Sequence, residues 1–145
     1  MGTDTFLSKA DQSLIVKSIE SAELNTSGEI RVHLESSCKA DPVERAVYIF
    51  NKLKMFKTKD RNGVLIYIAY KSRKFSIIGD SGINSKVPAN FWDEIKEKLL
   101  NSFISGDIVT GLTTAIEMSG EKLKEFFPYA NDDINEQSNE ISFGK

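Results

Sequence analysis

The chain has 145 residues, 40% of them hydrophobic and 28% charged, with a formal charge of −2. That is the size and composition of one ordinary globular domain, and it excludes both a second lobe and a low-complexity chain. The segment Pro128–Lys145 contributes −3 (Asp132, Asp133, Glu136 and Glu140 against Lys145), leaving +1 on the rest. So balanced a body argues against nucleic acid or an acidic membrane as a partner.

The one cysteine, Cys38, excludes an intrachain disulfide and a cysteine-rich metal cluster. Met1–Phe6 lacks the basic start and apolar run of a signal peptide, and no stretch approaches the ~20 apolar residues that cross a bilayer. Gly2 does not begin a myristoylation motif, because position 6 is Phe. A cytoplasmic monomer without a membrane anchor is the expectation.

In chain order, Ser8 can cap a first helix, with Asp11 in the capping-box position and Leu14, Ile15, Ile19 and Ala22 at helical spacing to about Asn25. Thr26-Ser27-Gly28 breaks it. From Glu29 the pattern alternates, Ile30, Val32 and Leu34 against Arg31, His33 and Glu35, which predicts a strand. Asp41-Pro42 opens a second helix with an apolar stripe of Val43, Ala46, Val47, Phe50 and Leu53. Thr58–Asn62 is a polar loop closed by Gly63, and Val64–Tyr70 is apolar enough for a central strand. A short turn at Lys71–Arg73 leads into a return strand, Lys74–Gly79.

Asp80-Ser81-Gly82 ends that strand. Pro88 opens a third helix carrying Phe91, Trp92, Ile95, Leu99 and Phe103; Ser105-Gly106-Asp107 breaks it, and Asp107 can cap a fourth helix reaching Phe127. The division is thus an α/β domain over 1–128 and a polar, acidic tail over 129–145 with the composition of disorder.

Strand direction locates a candidate site. Strands one and two are separated by a helix and are expected parallel; strands two and three form a hairpin and are antiparallel. Glu29, the Asp60-Arg61-Asn62 loop and Gly79-Asp80-Ser81 then share one end of the sheet. Carboxylates gathered there repel unless a cation or proton offsets them, and oxygen ligands favour Ca²⁺ or Mg²⁺. Taken singly, Asp60 and Asp80 also read as turn and cap residues, Asp107 as a helix cap, and Glu29 as the partner of a lysine. If the third helix packs straight back along the sheet, Asp107 lies at the opposite end; a tilted helix returns it to the acidic one.

The segments Thr26-Ser27-Gly28-Glu29-Ile30-Arg31-Val32, Arg61-Asn62-Gly63-Val64-Leu65-Ile66-Tyr67, Gly79-Asp80-Ser81-Gly82-Ile83 and Ser105-Gly106-Asp107 with Gly111-Leu112 resemble the TPM domain family, in order and at matching intervals from about Phe6 to Pro128. The resemblance implies a three-layer α/β/α sandwich with a small mixed sheet, about four helices and a loop-lined crevice that binds Ca²⁺ or a similar ion in several members. Carried onto this sequence it implies Asp60, Asp80 and Asp107 as metal ligands beside Asn62, with Gly79, Gly82 and Gly106 shaping the loops, Arg61 and Ser81 in the crevice, and Glu29 in a supporting role. It favours the tilted placement of Asp107. Members include plant thylakoid proteins of photosystem repair that have been called acid phosphatases, an acetylcholine-receptor-associated animal protein, and membrane-anchored bacterial proteins. The chain departs from the family in lacking a signal peptide or anchor, and in having Asn84 where many members have Glu.

Two functions follow as expectations: a non-catalytic module binding a weakly held Ca²⁺ or Mg²⁺ and an unidentified protein, or a metal-dependent phosphatase using Asp80 or Asp60. No second Asp stands two residues beyond Asp80, so binding ranks first. An anion site at Ser36, Ser37 and Lys39 ranks low, because Asp41 would repel a phosphate. His33 reads as a hydrogen-bonded residue, Cys38 as a loop cysteine, Trp92 and Phe103 as core, and the lysines of Lys52–Lys59 as a solvated helix end.

Overall fold

The computed structural model describes residues 6–128 and 141–144. Five α-helices and four strands follow the order α1 (Lys9–Glu23), β1 (Glu29–Glu35), α2 (Pro42–Lys52), β2 (Gly63–Ala69), β3 (Lys74–Gly79), α3 (Ser81–Asn84), α4 (Phe91–Ser105), α5 (Ile108–Phe126) and β4 (Ser142–Phe143), with one 3-10 turn at Met55–Lys57. The Ser8 hydroxyl caps α1 by accepting from the Asp11 amide. Asp41 stands at the α2 cap position without a side-chain bond, and Pro42 supplies the start instead.

The sheet has the order β3-β2-β1-β4. β1 and β2 are parallel with Glu29 opposite Gly63, and β2 and β3 are antiparallel with Val64 opposite Gly79. Every residue of β2 is buried, because alternate side chains enter two different cores. Val64, Ile66 and Ile68 join Ile30, Val32 and Leu34 beneath α1, α4 and α5, while Leu65, Tyr67 and Ala69 pack on α2 with Cys38 and Met55. The mixed sheet is the one that strand direction predicts, and the α/β/α layering is the one that the resemblance implies.

Three details differ. The α2 stripe is rotated: Ala46, Ile49 and Phe50 go inward, whereas Val43 and Val47 each stay 45% exposed. The residues after Asp80 make an additional short helix, α3, and α4 begins at Phe91 rather than at Pro88. Finally, the tail is not unstructured at its end. Positions 129–140 lie outside the described residues, but Ser142–Phe143 pairs parallel to β1, placing Ser142 opposite His33 and Phe143 opposite Leu34.

β4 lies over a buried polar cluster that the alternation of β1 creates. His33 and Glu35 face away from the main core yet are 4% and 3% exposed. Glu35 accepts from Arg45 Nε (3.0 Å), from a second Arg45 nitrogen and from the Tyr67 hydroxyl. His33 Nδ1 sits 3.0 Å from the Ser142 hydroxyl. Burial pushes the Glu35 carboxyl up, but the Arg45 and Tyr67 hydrogen bonds and the nearby positive charge outweigh it, so the net displacement is downward.

Candidate functional site: a three-loop crevice at the acidic end of the sheet

The strand registers bring the loops Thr26–Gly28, Thr58–Asn62 and Gly79–Asn84 to one end of the sheet, as strand direction predicts. The first is fixed by Thr26, whose hydroxyl sits between the Leu123 and Phe127 carbonyls while accepting from the Gly28 amide. In the second, Arg61 adopts φ +52, turning its carbonyl toward the third loop, where the Gly82 amide donates to it at 2.7 Å. The two loops approach so closely that a Cβ on Gly82 would stand 1.9 Å from the Asp60 carbonyl oxygen. Only glycine fits there.

The acids at this end are handled differently from one another. Asp80 is 8% exposed, and Arg61 grips it with two hydrogen bonds, Nε to Oδ2 at 2.7 Å and a terminal nitrogen to Oδ1 at 2.8 Å. The Ser81 amide donates to the same Oδ1 at 2.7 Å. Asp80 therefore has its charge offset by a guanidinium. Asp60 is exposed, with the Ser27 hydroxyl 3.5 Å from its Oδ2. Asn62 is 1% exposed and donates from Nδ2 to Ser27 Oγ at 3.1 Å; its Oδ1 is buried without a hydrogen-bond donor among the described residues. Glu29 is buried at 2% exposure, with its amide donating to the Asn62 carbonyl at 3.4 Å.

Asp107 is not part of this group. It caps α5, accepting from the Thr110 amide (3.3 Å) and hydroxyl (2.7 Å), bonds that hold its carboxyl below the usual range. Gly106, at φ +83, terminates α4. The far end of α5 is the one at the crevice, where the Phe127 carbonyl accepts from the Ser27 amide. A helix of 19 residues is about 28 Å long, so Asp107 stands at the opposite end of the sandwich. The straight placement is realised and the tilted one is not, because α4 keeps to β3 along its length: Trp92 lies against Gly79 and Phe103 stacks on Phe75. Among the described residues, no three Asp, Glu, His or Cys side chains converge as a metal-ligand cluster.

Asn84 acquires a role that its position in the motif did not reveal. Its Nδ2 donates to the Gly79 carbonyl at 2.7 Å and its Oδ1 accepts from Trp92 Nε1 at 2.8 Å. An ionised carboxylate accepts but cannot donate, so Asn is the residue type that ties α3 to both β3 and α4. A further acid carries no signal in the sequence. The Glu23 carboxylate accepts from the Ile30 amide at 2.7 Å. Burial pushes it up to about 8 against that hydrogen bond, with Glu29 and Glu20 adding repulsion.

The native fold thus holds a proton on Glu23 that the unfolded chain, with an ordinary value of 4.5, releases. The contribution is fully present below pH 4.5 and declines until it is lost above about pH 8. Glu23→Gln keeps the acceptor and removes the titration. We expect its thermal denaturation to lack the decline seen in the unmodified chain, and to be more stable by about 1 kcal/mol at alkaline pH. Parallel declines in the two proteins would refute the assignment.

A mixed β3-β2-β1-β4 sheet between helical layers, with a crevice formed by the loops at the β1 and β2 starts and the β3 end, defines a small α/β/α class of domain. Within it, the TPM domain family model matches residues 3–122, and the chain belongs to that family. It is similar, at 45% identity over 96% of both chains and a TM-score of 0.88, to the BA42 protein of the psychrophilic bacterium Bizionia argentinensis, solved by NMR. The N-terminal domain of the cg2496 protein from Corynebacterium glutamicum shares the fold at 16% identity, with a TM-score of 0.64 over 81% of this chain and 74% of that one. No curated protein matches. Among the described residues no helix is long and apolar enough to cross a membrane.

Proposed function

We propose that the crevice is a weak divalent-cation site and that the domain is a binding module rather than a hydrolase. The observation that carries this is Asn62: its buried amide oxygen has no donor among the described residues, while its Nδ2 donates to the Ser27 hydroxyl, which reaches the exposed Asp60 carboxylate. A buried acceptor left unpaired is costly, and a hard cation satisfies it. The oxygens of the set, on Asp60, the Asn62 amide and the Ser27 hydroxyl, have the donor chemistry that suits Ca²⁺ or Mg²⁺. With one uncommitted carboxylate the site is weak and leaves several positions to water.

Asp80 contributes indirectly by holding Arg61 in place. It is also the reason hydrolysis ranks second: a nucleophile or metal ligand after β3 would need a free oxygen, and Arg61 and Ser81 occupy both. Phosphatase activity, if present, should appear as turnover of a generic phosphomonoester that Asp60→Asn abolishes.

The test is an amide NMR titration with Ca²⁺ and with Mg²⁺. Ser27, Asp60 and Asn62 should shift saturably while Thr110 stays still, and Asp60→Asn should remove the response. At ion concentrations near ten times the Kd the unmodified chain gains about 1.4 kcal/mol of stability. Absence of shifts at about 10 mM ion, or shifts centred on Asp107, would sink the reading.

A further inference from the structure

The two edges of the sheet are treated differently. β4 covers part of the β1 edge, but β3 is an edge strand with no strand on its outer side among the described residues. The Asp80 amide donates to the Gly63 carbonyl, so alternation along an antiparallel ladder turns Ile78, Ser76 and Lys74 toward β2. Ile77 and Phe75 consequently direct their N–H and C=O groups outward. This edge forms the floor of a cleft of about 470 Å³ whose walls are Val43 and Val47 of α2 on one side and Trp92 and Lys96 of α4 on the other. The exposure of Val43 and Val47 follows from the rotation of α2 described above. At the end of the cleft Arg61 and Asp80 cancel each other, which leaves Lys96 as its one unpaired charge among the described residues.

We infer that the β3 edge is a docking groove for an extended segment of a partner protein, which adds to the sheet as a further strand and carries a carboxylate to Lys96. An unpaired edge is a template for such addition. Successive side chains of a strand point to opposite faces. One row of the segment therefore meets Val43 and Val47 and must be apolar. The other row meets Trp92 and Lys96 and must offer an apolar side chain and an acid. A second copy of this chain fits poorly: its own β3 edge is recessed between the same two helices, and pairing would bring two Lys96 residues together. The inference does not depend on cation binding, since it uses neither Asp60 nor Asn62.

The probe is the capped peptide acetyl-Val-Asp-Val-Leu-Val-amide, added to the full chain at up to about 1 mM and followed by amide NMR. We expect saturable shifts at Phe75 and Ile77. N-methylation of alternate peptide nitrogens should abolish them, because it removes the pairing groups and leaves the side chains. Lys96→Glu, at a half-exposed surface position, should weaken binding about tenfold and reverse the preference toward a peptide with Lys in place of Asp. Unmoved Phe75 and Ile77 amides, undiminished binding of the methylated peptide, or an unchanged preference in Lys96→Glu would each overturn the inference. So would concentration-dependent dimerisation that itself shifts these amides. Because Ca²⁺ is omitted, failure here leaves the cation titration unaffected, and the reverse also holds.

Discussion

Gly82→Ala is expected to destabilise the domain by about 3 kcal/mol or more, among the largest effects of a single methyl group anywhere in this chain. The added carbon would lie 1.9 Å from the Asp60 carbonyl oxygen and 2.6 Å from that of Arg61. Both are backbone atoms, so no side chain can swing aside. Relief requires the second and third loops to separate, which breaks the Gly82–Arg61 hydrogen bond and loosens the grip of Arg61 on Asp80. Gly106→Ala is the informative control. Gly106 has φ +83 with nothing within 4 Å of its added carbon, so its cost is conformational only, about 1 kcal/mol. Denaturant unfolding of the two variants separates a clash from a strained dihedral. Equal costs would mean that the two loops are not locked together.

Glu35→Ala should be of similar size, about 3–5 kcal/mol. The carboxylate is the common acceptor for Arg45 and Tyr67, and its side chain is 4% exposed. Removing it leaves a guanidinium and a phenol without their buried partner. It also removes the surface under the last residues of β4, where a Cβ on Gly144 would be 2.4 Å from Glu35 Cγ. The variant should therefore lose amide protection at Gly144, whose N–H donates to the Leu34 carbonyl, before the rest of the sheet. Acid should act in the same direction: a carboxyl displaced downward contributes above its ordinary value of 4.5 and loses that contribution as pH falls. Unchanged protection at Gly144 in Glu35→Ala, with stability within 1 kcal/mol of the unmodified chain, would exclude this cluster as the anchor of β4.

Much of the fold is legible in the sequence because period and punctuation agree. Ser8, Gly28, Pro42, Gly63 and Asp107 each sit at an element boundary and each has a local reason to be there. The meeting of Glu29, Asp60 and Asp80 at one end follows from strand direction alone. What could not be read depends on contacts across the fold. Nothing local to Asp80 announces that Arg61, nineteen positions earlier, will neutralise it. Nothing near Glu23 shows that the fold will bury it against Ile30. The crossing of α4 and α5 decides which end of the sandwich receives Asp107, and helix periodicity carries no information on crossing. β4 is too short to have a pattern; it is a strand only because β1 offers it an edge.

That short strand has a kinetic consequence. The His33–Ser142 contact joins residues 109 positions apart, whereas the β2–β3 hairpin joins neighbours in the chain. Loop-closure entropy rises with the logarithm of the separation, and distant pairings form slowly. The hairpin and the α4–α5 pair can assemble locally, and β1 can join them through the α2 crossover. β4 has only two ladder residues to compensate for its long closure. The sandwich therefore completes its sheet last, with β1 fully formed beforehand. His33 is left for an interval without its Ser142 partner, while Glu35 already has Arg45 and Tyr67, until the strand arrives to cover them.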